Sequence, residues 1–228
     1  RVLAIIDWKT GWVGTEARLQ LGAYWSCLPD PKPTIGHVVQ VKADGCRVPV
    51  TMTTEELQAA AETFLHAKAV FDYLVRLGSV TIPSNEAYRI QFEGEYVQLP
   101  SVTFILSHVV AKPQLLSWYA KVASEGKNPN DIRDSRAAEG SAIHRAIHTL
   151  LQGKPIEFTD TPEPFAQSMT HFAAWMIRTK LDPVCLEQQV YSPDHRFAGT
   201  LDCVAWYKPQ TMGHEERLSP SGTLPEKE

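Results

Sequence analysis

No run of the sequence is apolar for long enough to cross a membrane; Val2 to Ile6, near the start, falls far short of the roughly 20 residues a span requires. Cysteine is scarce and scattered: Cys27, Cys46, Cys185 and Cys203 include no Cys-x-x-Cys pair. That spacing supplies neither a structural zinc site nor a disulfide framework for 228 residues, and no iron–sulfur cluster is expected. Charge of one sign is lacking too. The 22 Lys+Arg meet 26 Asp+Glu for a formal net charge of −4, so bulk electrostatics do not point to nucleic acid. No heptad or Gly-X-Y repeat runs through the chain, which excludes coiled coil and collagen, and no other internal repeat is evident. An initiator Met and a signal-peptide pattern are both missing, since Arg1 leads straight into a strand-like run that meets Asp7. The expectation is a cytoplasmic protein, with no membrane partner, whose first residues read as the middle of a domain.

What is present fits a mixed α/β domain. Hydrophobic residues make up 43% and charged residues 21%, enough apolar material for a buried core and too little charge for wholesale disorder. Residues 2–8 are β-branched and apolar and predict a buried strand, broken at Thr10-Gly11. Thr15 to about Leu28 predicts a helix with Thr15 as its N-cap and Pro29 beyond its end. His37 to Lys42 and Arg47 to Met52 flank Asp44-Gly45, a hairpin signal, and Thr53-Thr54-Glu55-Glu56 offers a capping box for a helix reaching about Leu77. A second hairpin turns at Glu93-Gly94-Glu95. Further helices are predicted after Ser101 and at 112–125, 134–152 and 161–180, before strands at Val184 to Tyr191 and Phe197 to Tyr207. The Pro-bearing segment 209–228, which has no aromatic residue, reads as a flexible loop or tail.

Four local patterns carry chemistry. Asp7 and Lys9 are two apart on a strand and so share a face; together they suit a divalent cation with an adjacent ammonium, or simply an ion pair at a strand end. Asp202 lies in the apolar run Phe197 to Trp206, where a lone carboxylate needs a partner, a cation or a sheet edge. Glu187 is another acid in a strand-like run. His144 and His148 are four apart on a helix, a spacing shared by metal pairs and by ordinary amphipathic helices, and no His-Glu-x-x-His motif accompanies them. Gln20 and Tyr24 share a face of the helix that follows the Asp-x-Lys strand.

Taken together, Gly140 to His144, Gly199 to Asp202, Asp7 to Lys9 and Gln20 to Tyr24 resemble the motif set of the PD-(D/E)XK nuclease superfamily, specifically its RecB-like exonuclease branch. Leu99 to Thr103, followed by Trp118, looks like the entry segment of the phage and mitochondrial genome-maintenance exonucleases. The resemblance implies a restriction-endonuclease-like fold, a mixed central sheet flanked by helices. It implies an Mg²⁺- or Mn²⁺-dependent deoxyribonuclease, most simply an exonuclease of phage or of recombination and repair. Asp202, Asp7, the Trp8 backbone carbonyl and His144 would hold the metal, and Lys9 would position the attacking water. Gln20 and Tyr24 would orient Lys9 or contact a DNA phosphate, and Glu187 ranks last, as a supporting residue. The implied partner is DNA, single-stranded or with free ends, together with a recombination or single-strand-binding protein.

The motif order departs from the family. There the Gly-x-x-Asp strand precedes the Asp-x-Lys strand in a hairpin; here the second opens the chain and the first closes it. A circular permutant, a rotated reading and parts of two tandem copies all fit that order. It divides a single domain over 1–208 into 1–78, the family's C-terminal half, and 79–208, its N-terminal half. Residues 111–148 hold six Lys or Arg against four acids, a modest basic excess, and Trp118 and Tyr119 could stack bases. The competing expectations are a non-catalytic DNA-binding or assembly module that keeps the fold, and an unrelated α/β protein.

Overall fold

A computed structural model of the chain describes residues 1–92, 94–156 and 163–208. The element order is β1 (Val2–Lys9), α1 (Thr15–Ser26), β2 (Ile35–Lys42), β3 (Gly45–Thr53), α2 (Thr54–Arg76), β4 (Ala87–Phe92), β5 (Glu95–Pro100), α3 (Val102–Val109), α4 (Pro113–Ser124), α5 (Pro129–Leu151), α6 (Glu163–Thr179), β6 (Asp182–Ser192) and β7 (Phe197–Tyr207). This is the succession read from the sequence. Glu93 of the second hairpin and the tail 209–228 lie outside the described residues. Among the described residues no helix is long and apolar enough to cross a membrane.

Five strands form one mixed sheet in the order β3-β2-β1-β7-β6, and β4 and β5 form a separate ribbon. β1 runs parallel to β2 and antiparallel to β7, whose last residue, Tyr207, faces Val2. Helices flank both faces. One core sets Ile5, Val38, Leu201 and Val204 against α1, α2 and α3, and the other sets Ala4, Ile6, Trp8 and Val39 against α5 and α6. The period-two alternation of β1 assigns its side chains to the two layers, so Asp7 and Lys9 follow Ile5 toward α1 while Trp8 packs edge-on against Phe172 and Trp175 behind the sheet.

Helix boundaries differ from the sequence reading at the N-termini of α1 and α5. The capping box of α2 forms as read, Thr53 accepting from Glu56 N–H while Glu56 accepts from Thr53 N–H. α1, in contrast, begins inside the segment with Gly14 as N-cap and Thr15 already helical. α5 starts five residues earlier than expected, at Pro129, because the Asn128 side chain accepts from Asn130 N–H and proline, which has no N–H of its own, suits the first helical position.

One buried polar group near the sheet's far end has a thermodynamic consequence. His37 is almost fully buried, bonds Thr51 Oγ1 through Nδ1 at 3.1 Å, lies edge-on to Tyr207 and leaves Nε2 without a partner. Burial pushes its pKa from 6.5 down to about 4, so it folds neutral. Its contribution to stability is present in full above pH 6.5 and is lost as pH falls through about 4, amounting to about 3 kcal/mol over that window. Urea denaturation of the wild type between those limits should weaken more steeply than that of His37→Gln; parallel curves would refute this.

Candidate metal centre

β1 pairs with β7 only as far as Ile6 and Cys203, and beyond that pair the two strands part. The backbone N–H of Trp8 donates to Asp202 Oδ2 at 2.7 Å, so a side-chain carboxylate takes over where the ladder ends. The facing pattern of β7 also changes there: Phe197, Leu201 and Val204 lie in the first core, and Cys203, Ala205 and Tyr207 in the second. Asp202 sits at this switch, its side chain 12% exposed.

Two glycines explain how the surrounding elements come so close. A Cβ on Gly199 would run into the Tyr24 ring, so α1 can bring that ring against the β7 backbone only over a glycine. A Cβ on Gly140 would stand 2.7 Å from Thr10 Oγ1, so α5 approaches the end of β1 at the one residue without a side chain. His144 follows one helical turn later and enters the cleft from the other side of the sheet.

The result is two connected groups. In the first, Lys9 Nζ lies 3.0 Å from Asp7 Oδ2 and donates to Asp7 Oδ1 at 3.3 Å and to Gln20 Oε1 at 3.0 Å; Gln20 Nε2 in turn donates to the Tyr24 hydroxyl at 3.0 Å. Gln20 and Tyr24 are buried, so they reach Lys9 and not the solvent. In the second group, ligand atoms of His144, Glu187 and Asp202 all lie within 4.8 Å of one another, with His144 Nδ1 3.9 Å from Asp202 Oδ1. The His144 ring is also within hydrogen-bonding reach of the Trp8 backbone. Among the described residues this is the one cluster of three such ligands. Asp7 stands outside it, although its charge acts on both Asp202 and His144. His148 stands outside as well, its Nε2 meeting Gln152 Nε2 at 3.0 Å.

Glu187, placed last on sequence grounds, thus belongs to the tightest cluster. It adopts φ 48°, a left-handed conformation rare for a residue with a side chain, in the middle of β6. Leu186 pairs with Cys203 and Gln188 with Leu201, so the register puts Glu187 opposite Asp202. Such backbone strain costs on the order of 1–3 kcal/mol and concentrates where a side chain must be aimed. Nothing in the sequence signals it beyond an acid in a strand-like run.

The electrostatics favour a cation. Burial and the nearby Asp7 carboxylate push the Asp202 pKa well above the usual carboxylate range, against the opposing pull of the Trp8 N–H and Lys9. Asp7 Oδ2 is buried and makes no hydrogen bond, its nearest charge being the Lys9 ammonium. Burial works against the Lys9 ammonium, but Asp7 and Asp202 overcome it and raise its pKa, so Lys9 is a cation and a donor at neutral pH. Burial lowers the His144 pKa, leaving a neutral imidazole with a lone pair to offer. One ammonium therefore faces three carboxylates. A buried carboxylate paired with the Lys9 ammonium, a strained acid and a neutral histidine make an oxygen-rich donor set that suits a hard divalent ion.

Around the cluster, Ser141, His144, Arg145, His148 and Glu187 line an open cleft of about 490 Å³. Arg145 belongs to the modest basic excess of 111–148; among the described residues it forms no ion pair. Comparison of the chain with protein-family models, with curated proteins and with solved structures returned no match.

Proposed function

We propose that this chain is a metal-dependent deoxyribonuclease of the PD-(D/E)XK type, most simply an exonuclease that acts on DNA with a free or single-stranded end in phage or recombination-type processing. The observation that carries the reading is the meeting of Asp202, Lys9 with Asp7, and His144 at the point where β1 and β7 part, from three elements far apart in sequence. Support also comes from the two motif glycines: Gly199 lies under the Tyr24 ring, and Gly140 lies against Thr10, the residue after Lys9. The rotated motif order fits the same reading, because β7 and β1 are antiparallel neighbours, as the family's hairpin would have them.

Mg²⁺ or Mn²⁺ would be held by Asp202, His144 and Glu187, whose ligand atoms lie together; Asp7 and the Trp8 carbonyl, the other donors of the motif set, stand beside that cluster, Asp7 in its ion pair with Lys9. Bound there, the ion supplies Lewis acidity toward a phosphoryl oxygen and cancels carboxylate charge. The protein's own groups do the rest. Lys9, fixed by Asp7 and Gln20, would present its ammonium to the charge that builds on the phosphoryl oxygens and orient the incoming water by a hydrogen bond. Gln20 accepts from Lys9 while donating to Tyr24, whose hydroxyl stays protonated because burial raises its pKa. Arg145 lies at the cleft mouth, free to meet a phosphate.

Digestion of end-labelled linear DNA with Mg²⁺, with Mn²⁺ and with EDTA tests the proposal. Metal-dependent release of mononucleotides or short oligonucleotides is expected, and closed circles should resist. Full resistance of linear single- and double-stranded substrates under all metal conditions would overturn it.

A further inference from the structure

A second cavity, about 450 Å³, opens between the segment after β1, the start of α1, helix α4 and the first turns of α5. Two indoles line it. Trp12 is 64% exposed and its ring lies against Gly14, where a Cβ would collide with it; Trp118 stands across on α4, edge-on to Tyr119 at 5.1 Å. Three cations rim it against one acid. Lys112 reaches Glu16 at 3.6 Å and Arg133 is held by Asp134 at 2.8 Å, but Arg136 forms no ion pair among the described residues. An exposed indole facing a half-buried one across a cationic rim suits an anionic, flat ligand.

The cavity is tied to the metal centre on both sides. Trp12 follows Lys9 by three residues, and the charge of Glu16, in the cavity wall, acts on Lys9. Arg133 precedes His144 by eleven residues, three turns of α5 on nearly the same face, or about 16 Å along the axis. Arg136 also lines a smaller cavity with Thr10 and Gly11, immediately beyond Lys9.

We propose that this cavity receives one unpaired nucleobase of a single-stranded nucleic acid, stacked on Trp118 and Trp12, with Arg136 and Lys112 on the flanking phosphates. Aromatic stacking accepts any base, and the guanidinium and ammonium track the backbone between the pocket and the metal centre. A duplex keeps its bases stacked on one another and cannot offer one without unpairing it, so the pocket selects single-stranded character. The inference deepens the nuclease reading and rests on it only for what happens to the strand at the other end; the binding itself needs no metal.

The test uses the full chain in EDTA and a short fluorescein-labelled oligodeoxythymidylate followed by anisotropy. Trp118→Ala should weaken binding about 5- to 150-fold. Arg136→Gln should flatten the slope of log affinity against log salt by about 0.7, the share of one phosphate contact on a single strand. A duplex of equal length should compete poorly. Unchanged affinity in a Trp118→Ala protein with native circular dichroism, an unchanged salt slope in Arg136→Gln, or equal competition by duplex or by an acidic aromatic peptide would overturn the proposal. Trp118-dependent binding without hydrolysis in Mg²⁺ or Mn²⁺ would sustain the pocket and overturn the nuclease reading; hydrolysis with binding indifferent to Trp118 would do the reverse.

Discussion

Replacing Lys9 by Ala should cut the rate of metal-dependent DNA hydrolysis by about 10²- to 10³-fold, the loss that follows removal of one preorganised donor to developing charge. The size of the effect follows from how much of the structure is devoted to that one ammonium. Asp7 and Gln20 hold it, Tyr24 holds Gln20, and Gly199 is bare so that Tyr24 can lie where it does. No flexible surface lysine can inherit a position defined in this way. Affinity for the labelled oligonucleotide in EDTA should stay within about twofold of the wild type, since Lys9 faces the chemistry and the aromatic pocket holds the strand. A Lys9→Ala enzyme that hydrolyses at the wild-type rate would sink the mechanism.

Mn²⁺ at a hundredfold excess over its dissociation constant should raise the thermal midpoint of the wild type by about 5–10 °C, from about 2.7 kcal/mol of binding linkage in a domain of this size. Asp202→Asn should abolish that shift while leaving the metal-free protein as stable as the wild type or more so. The reason is that ionised Asp202 is a liability without a cation. Its folded pKa is raised by burial and by Asp7, so the protonated form is the one the metal-free fold prefers. Stability from this group is therefore complete below the ordinary carboxylate pKa of about 3.9 and is lost as pH rises through the elevated folded value. The metal needs the ionised form, so the midpoint shift should grow over the same rise in pH. Differential scanning fluorimetry across a pH series, with and without Mn²⁺, reads both trends. A shift that shrinks with increasing pH, or that persists in Asp202→Asn, would contradict this account.

Much of this was legible in the sequence because it depends on local spacing. Asp7 and Lys9 share a strand face by the pleat, the Thr53 capping box starts α2, and the Asp-Gly signal marks the first hairpin, whose turn is Ala43-Asp44 with Gly45 already paired to Lys42. The motif spacings picked out Gly140 and Gly199, yet only the fold says what each glycine makes room for: Thr10 in one case and the Tyr24 ring in the other. Glu187 was undervalued because its importance comes from a left-handed backbone and a cross-strand register, neither of which leaves a trace in residue type. Of the pocket between Trp12 and Trp118, the sequence offered Trp118 as a base-stacking candidate but neither Trp12 nor the cavity the two share. Its walls are more than a hundred residues apart in the chain, and nothing local to α4 tells a core tryptophan from one that faces a cavity. The i, i+4 histidine pair shows the converse, a spacing that suits metal pairs and ordinary helices alike and of which only His144 joins the cluster.

The kink at Glu187 has a consequence away from chemistry. β6 is an outer strand of the five-stranded sheet, and an open edge can recruit a strand from another molecule and grow by addition. Here the row of backbone donors and acceptors is interrupted twice, by a register shift between Pro183 and Cys185 and by the left-handed turn at Glu187. The opposite rim is guarded in kind: β3 carries Pro49, which has no N–H to offer, and its pairing with β2 slips between Val38 and Gln40. The distortion that turns a carboxylate toward Asp202 thus also breaks the template for unwanted sheet extension.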